Sequence, residues 1–143
     1  MGTIDFTNLR IFIDDKKHDI YTDLTGRAAK MAEDKPFIKM PDLFITAACI
    51  GARDNLYLPI DGKKRDIFVA DALDQNLHVP IIASLGYQYT GDTEILLDPR
   101  GLLDIVESYA NGGIDIIYDI VQTGEGLRPL YRFMDFVLDE ISP

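Results

Sequence analysis

The sequence predicts a mainly α-helical fold: a compact bundle of five or six helices with room for one short two-stranded β pair. Three observations point there. Apolar residues recur at helical spacing through most of the second half. Proline and glycine fall where helices would start and stop. Strand-type content, β-branched and aromatic, is confined to short stretches. With 143 residues, 47% of them hydrophobic, the chain is most simply one domain over residues 1–143, with an ordinary core.

The elements follow in order. Residues 8–13 (Asn-Leu-Arg-Ile-Phe-Ile) suit a short strand. Asp14 or Asp15 can cap a helix that runs to Leu24, with Gly26 helping to end it. Residues 26–39 are polar, with Pro36 inside. A helix follows, with Pro41 in its first turn and Asp42 near its positive end. Residues 43–50 are apolar all round, as in a central, buried helix, and Gly51 is expected to stop it. Leu56-Tyr57-Leu58 reads as extended and able to pair with residues 9–13, and Asp61-Gly62 as a turn. Residues 66–75 are expected to be helical, and so are residues 79–86, opening with Pro80.

Asp98-Pro99 marks a cap and first turn. At 100° per residue, Leu102, Val106, Ala110, Ile114, Ile117 and Val121 form one stripe. Asp104, Glu107, Ser108, Asn111, Asp115, Asp119 and Gln122 lie opposite, expected to face water. The phase passes unbroken through Gly112-Gly113, which favours one helix over residues 99–122. Two helices meeting at an Asn-Gly-Gly joint are the alternative. Gly113 falls on the apolar face, where a neighbouring helix can come close. Each glycine costs about 1 kcal/mol relative to alanine, so a packing role is needed to justify the pair. We therefore read Gly112, Gly113 and Gly51 as structural. Gly124 and Gly126 end the helix, and Arg128-Pro129 opens the last one. There Leu127, Leu130, Tyr131, Met134, Val137, Leu138 and Ile141 share a face expected to meet the core, while Phe133 and Phe136 point elsewhere and offer a second contact.

Catalytic signatures are absent from this reading. No Walker loop, dinucleotide fingerprint or hydrolase elbow occurs. Pro41-Asp42 with Asp61-Gly-Lys63 spells a nuclease pattern of the PD-(D/E)xK kind, in which acids hold a divalent metal. The context fails, because Asp42 belongs to a helix start and Asp61 to a turn. His18 is expected in solvent and His78 in a capping or surface role. Cys49, alone in the chain, is expected as a small core residue, which excludes an internal disulfide or a multi-cysteine zinc site. No catalytic residue, metal ligand or cofactor is therefore expected. With no run of 18 apolar residues and no basic-then-apolar start, we expect neither a membrane span nor a secretory signal, and a cytoplasmic location.

Charge is uneven. The net charge is −10, of which residues 1–71 carry −1 and residues 72–143 carry −9, with no lysine in the second half. Such a surface repels a phosphate backbone, so direct duplex DNA binding is not expected. Lys63-Lys64-Arg65 is a single small basic cluster, read as a solvated loop.

Pro36-Phe37, Asp42-Leu43-Phe44, Ala47-Ala48 and Gly51, read with Glu107-Ser-Tyr-Ala-Asn-Gly-Gly113, give the chain a family likeness. It resembles the small proteins encoded beside bacterial DNA phosphorothioation modification and restriction systems, the dnd system-associated proteins, over about residues 9–122. Lys17-His18-Asp19 to Leu24 also fits. The resemblance implies a cytoplasmic antiphage context and brings no catalytic residue. The expected function is an accessory that binds a protein partner, such as a DNA-modification or restriction component, through Asp115 and Asp119 or through Phe133 and Phe136, with homo-oligomerisation as a further use of the aromatics. The alternatives are an acidic DNA mimic that fills the basic cleft of a DNA-binding enzyme, and the nuclease named above.

Overall fold

A computed structural model describes residues 4–25, 39–123 and 129–141. Strand β1 (Arg10–Asp14) leads through a 3-10 turn into α1 (His18–Leu24). Helix α2 (Met40–Arg53), strand β2 (Lys64–Val69), α3 (His78–Thr90), α4 (Pro99–Thr123) and α5 (Pro129–Ile141) follow. The fold is mainly α, with five α-helices and one two-stranded antiparallel sheet among the described residues. None of the described helices is long and apolar enough to cross a membrane.

Helix α4 organises the rest. It runs without a break through Gly112 and Gly113, as the phase predicts. Leu102, Val106, Ala110, Ile114, Ile117 and Val121 are all fully buried. Five of these are large, each contributing about 1.5–3 kcal/mol on burial, which outweighs the ~1 kcal/mol that each glycine costs the helix. Asp98 caps the first turn, its Oδ1 accepting from the Gly101 amide at 3.0 Å.

Helix α2 packs along α4, with Leu43, Phe44, Ala47 and Ala48 at zero exposure. Gly51 does not stop it. The helix continues to Arg53 and closes on Asn55, whose φ of 58° is left-handed. The Leu56 amide reaches back to the Gly51 carbonyl (2.7 Å) and the Asn55 amide to Ala52 (3.3 Å). That is a Schellman closure with asparagine where glycine is usual. Gly51 is spent on packing instead.

Three further expectations fail in physically simple ways. Strand β1 pairs with β2, Arg10 facing Val69 and Asp14 facing Lys64, and not with residues 56–58. Residues 66–75 are accordingly not a helix: they hold the end of β2 and a 3-10 turn over Ala70–Ala72. Ile67-Phe68-Val69 gains a partner strand and half-burial, which outweighs local helix preference. Helix α3 passes Gly86 and ends at Thr90, with Gly91 at φ 70° making the left-handed cap. A Cβ at Gly86 would run into Leu102, so that glycine serves the contact between α3 and α4.

His78, at the start of α3, is buried. Its Nδ1 accepts from the Asp74 amide (2.9 Å), so Nε2 carries the proton and donates to Asp42 Oδ1 (2.9 Å). The imidazole ties the start of α3 to the start of α2. His18 is half-buried rather than open, 3.9 Å from Asp19. Cys49 is half-buried against the core, and burial pushes its thiol up. The expectations for Gly26, residues 26–38, Gly124, Gly126, Leu127 and Arg128 lie outside the described residues.

Candidate functional site

The segment Glu107–Gly113 lies at the centre of α4, and nearly every residue in it holds another part of the chain. Glu107 is 2% exposed, not solvated. Its Oε2 accepts the Phe12 amide (2.9 Å) and Arg100 Nη2 (2.6 Å), while Arg100 Nη1 donates to the Arg10 carbonyl (2.8 Å). The pair thus completes the open edge of β1, one side chain accepting and the other donating, as a third strand would. Burial pushes the Glu107 carboxyl above its ordinary range, against the opposing pull of the Phe12 amide and Arg100.

The Ser108 carbonyl accepts the Leu58 amide (3.0 Å), and Asn111 Nδ2 donates to the Leu58 carbonyl (3.0 Å). Tyr109 meets the stacked pair Tyr57–Tyr89 edge-on, with centroids at 5.1 and 6.0 Å. The Asn111 carbonyl accepts Lys17 Nζ (2.7 Å), which also pairs with Asp115 (2.9 Å). Ser108 and Asn111 are therefore buried, against expectation. A helix covered on two sides has no single dry face; the Ser108 hydroxyl is satisfied by the Asp104 carbonyl of its own helix (2.9 Å) and the Asn111 side-chain amide by the crossing strap.

The two glycines have separate neighbours. A Cβ on Gly113 would collide with the Ala47 carbonyl of α2, and one on Gly51 with the Tyr109 carbonyl of α4. A Cβ on Gly112 would collide with the backbone of Leu56 on the other side. So α2 crosses at Gly113 and the 55–58 strap crosses at Gly112.

Beside the strap runs a shallow groove of about 390 Å³, lined by Leu56, Leu58 and Ile116 with Asp115 and Asp119 at its α4 side. Leu56 and Leu58 are 38% and 48% exposed. Asp115 and Asp119, both exposed, are thus brought together, with Asp115 held by Lys17 and Asp119 showing no ion pair among the described residues. The sequence reading missed Leu56, Leu58 and Ile116. The available signal was Leu-Tyr-Leu alternation in a stretch without helical phase, which sends the tyrosine in and both leucines out.

Phe133 and Phe136 are not part of this groove. They face inward, packed partly buried against the core, with Arg53 lying 5.1 Å above the Phe136 ring and pairing with Glu140 (3.1 Å). The exposed stripe of α5 is Met134, Val137 and Leu138, the reverse of the expected orientation. Letters of the nuclease pattern are dispersed: Asp42 is bonded to His78, and Asp61 and Lys63 stand exposed in the connection to β2. Lys64 and Arg65 are exposed on β2, and Arg65 faces Asp15 at 3.6 Å.

Comparison with known proteins agrees with the likeness carried by these residues. A search of curated proteins and a search of solved structures each return no match. The family model for DNA sulphur modification system-associated protein 4 matches residues 10–134, from the start of β1 into α5 and across the whole Glu107–Gly113 segment. The chain belongs to the DNA sulphur modification system-associated protein 4 family.

Proposed function

We propose that this protein is a non-catalytic accessory of the DNA sulphur modification system, acting in the cytoplasm by binding a protein component of that system. The observation that carries the reading is the family match over residues 10–134. Two features support it. The polar groups of the family-like segment are used within the fold, as Glu107, Ser108 and Asn111 each bond to backbone. Beside that segment lies an apolar groove edged by carboxylates, which suits a protein better than a phosphate backbone. A role in defence against phage DNA follows the same reading.

The test is co-expression of the tagged chain with the modification and restriction proteins encoded beside it, followed by purification at moderate salt. Stoichiometric recovery of one of those proteins is expected. Recovery of none, with each shown to be expressed and folded, overturns the reading. Duplex cleavage in magnesium or manganese that Asp61→Ala abolishes would overturn its non-catalytic part.

A further inference from the structure

We infer that the groove between the 55–58 strap and α4 takes an arginine-bearing, apolar-flanked segment of the protein partner. This rests on the accessory reading above and adds the site and the chemistry it selects. The groove has two parts. Leu56, Leu58 and Ile116 form apolar walls, and Gly112, without a side chain, lets the strap lie directly on α4. Asp115 and Asp119 stand one helical turn apart along the same side.

An amphipathic cation matches both parts, with its aliphatic stem on the leucines and its charged head at the carboxylates. Arginine fits better than lysine. One ammonium, that of Lys17, already sits on Asp115 Oδ2 at 2.9 Å, which leaves the other Asp115 oxygen and Asp119 to a planar fork with several donors. A volume near 390 Å³ admits one or two side chains, not a whole helix, so the partner presents them from an extended or turning segment. The net −9 of residues 72–143 draws such a segment in and repels nucleic acid. The walls are already set in place. The Leu58 amide and carbonyl are bonded to Ser108 and Asn111, and the Leu56 amide to Gly51, so little ordering remains for binding to cost.

The experiment is an amide NMR titration of the full chain with the peptide acetyl-LRLRL-amide and with the same peptide carrying citrulline, a neutral isostere, for arginine. Saturable shifts at Leu56, Leu58, Gly112, Ile116 and Asp119 are expected. The citrulline peptide should bind about tenfold more weakly. Asp119→Asn should weaken the arginine peptide about threefold, and Leu56→Ser or Leu58→Ser about tenfold, with unchanged circular dichroism. Absence of saturable shifts, shifts confined to another face, or equal binding of the two peptides overturns the inference. A dimer in sedimentation that Leu56→Ser dissociates also overturns it, by assigning the groove to a second copy. Co-purification separates the two readings. A system component retained equally by Asp119→Asn and Leu56→Ser removes the groove and keeps the accessory role. Peptide binding without any retained component does the reverse.

Discussion

Gly51 of α2 and Gly113 of α4 face each other where the two helices cross: a Cβ on Gly113 would stand 2.8 Å from the Gly51 nitrogen, and one on Gly51 would stand 3.2 Å from the Gly113 nitrogen. Both would also press on carbonyl groups, which cannot rotate away as a flexible side chain can. Gly113→Ala gains ~1 kcal/mol of helix propensity but forces backbone apart in a packed core, which costs about 3 kcal/mol or more. A net loss near 2 kcal/mol is expected, read as a lower urea midpoint. An unchanged midpoint would mean that the crossing has slack.

Glu107 supports β1 through a buried carboxylate, and the charge it carries there is not free of cost. Its pKa is raised from the ordinary 4.5, chiefly by burial. The native state therefore holds the proton more tightly than the unfolded chain. The contribution of this group to stability is full below 4.5 and is lost as pH rises through the raised value. Glu107→Gln keeps an acceptor for the Phe12 amide. It should cost about 1 kcal/mol at neutral pH and flatten that part of the pH–stability curve. Glu107→Ala leaves a buried amide and Arg100 without their partner and should cost about 3 kcal/mol. Urea titrations from pH 4 upward distinguish the two; equal losses would deny the acceptor role.

What could be read in the sequence was whatever is written locally. The stripe from Leu102 to Val121 predicts α4 as one helix, because burial repeats at the helical period through Gly112-Gly113. Strand β2 escaped the same reading, since Asp66 to Val69 becomes extended only when β1, more than 50 residues earlier, supplies the ladder. In α5 two apolar stripes compete, and the choice of Phe133 and Phe136 as the inner one is made by the surface they meet, not by their spacing. Glu107, Ser108 and Asn111 were read as solvated because letters show polarity and not partners. Their burial depends on a strand edge and a strap whose positions no local pattern encodes.

Tyr21 gives a prediction of opposite sign. Its ring is 1% exposed, and its hydroxyl is buried without a hydrogen-bond partner among the described residues. Burial, with Asp115 and Glu107 near, pushes its pKa up, so the group stays protonated. An unpaired buried hydroxyl costs ~1–3 kcal/mol, while the ring retains its packing without it. Tyr21→Phe should leave stability unchanged or raise it by about 1 kcal/mol. A loss of that size in urea unfolding would show that the hydroxyl has a partner that matters.

Asn111 joins the family-like segment to the groove, so its removal should be felt at both. Its Nδ2 holds the Leu58 carbonyl, while the neighbouring Ser108 carbonyl holds the Leu58 amide. Asn111→Ala removes one of the two bonds at Leu58 and leaves its carbonyl unsatisfied, at about 1–2 kcal/mol of global stability. The local effect is larger in consequence, because the strap lies outside any helix or sheet and its leucines are exposed, so it opens before the rest of the molecule. Hydrogen exchange at the Leu56 and Leu58 amides should quicken by about tenfold for each 1.4 kcal/mol lost locally, while amides in the buried stripe of α4 quicken only with the global change. The arginine peptide should bind less well to Asn111→Ala although no groove side chain is altered. Exchange at Leu58 as slow as in the parent protein would mean that the Ser108 bond alone fixes the strap.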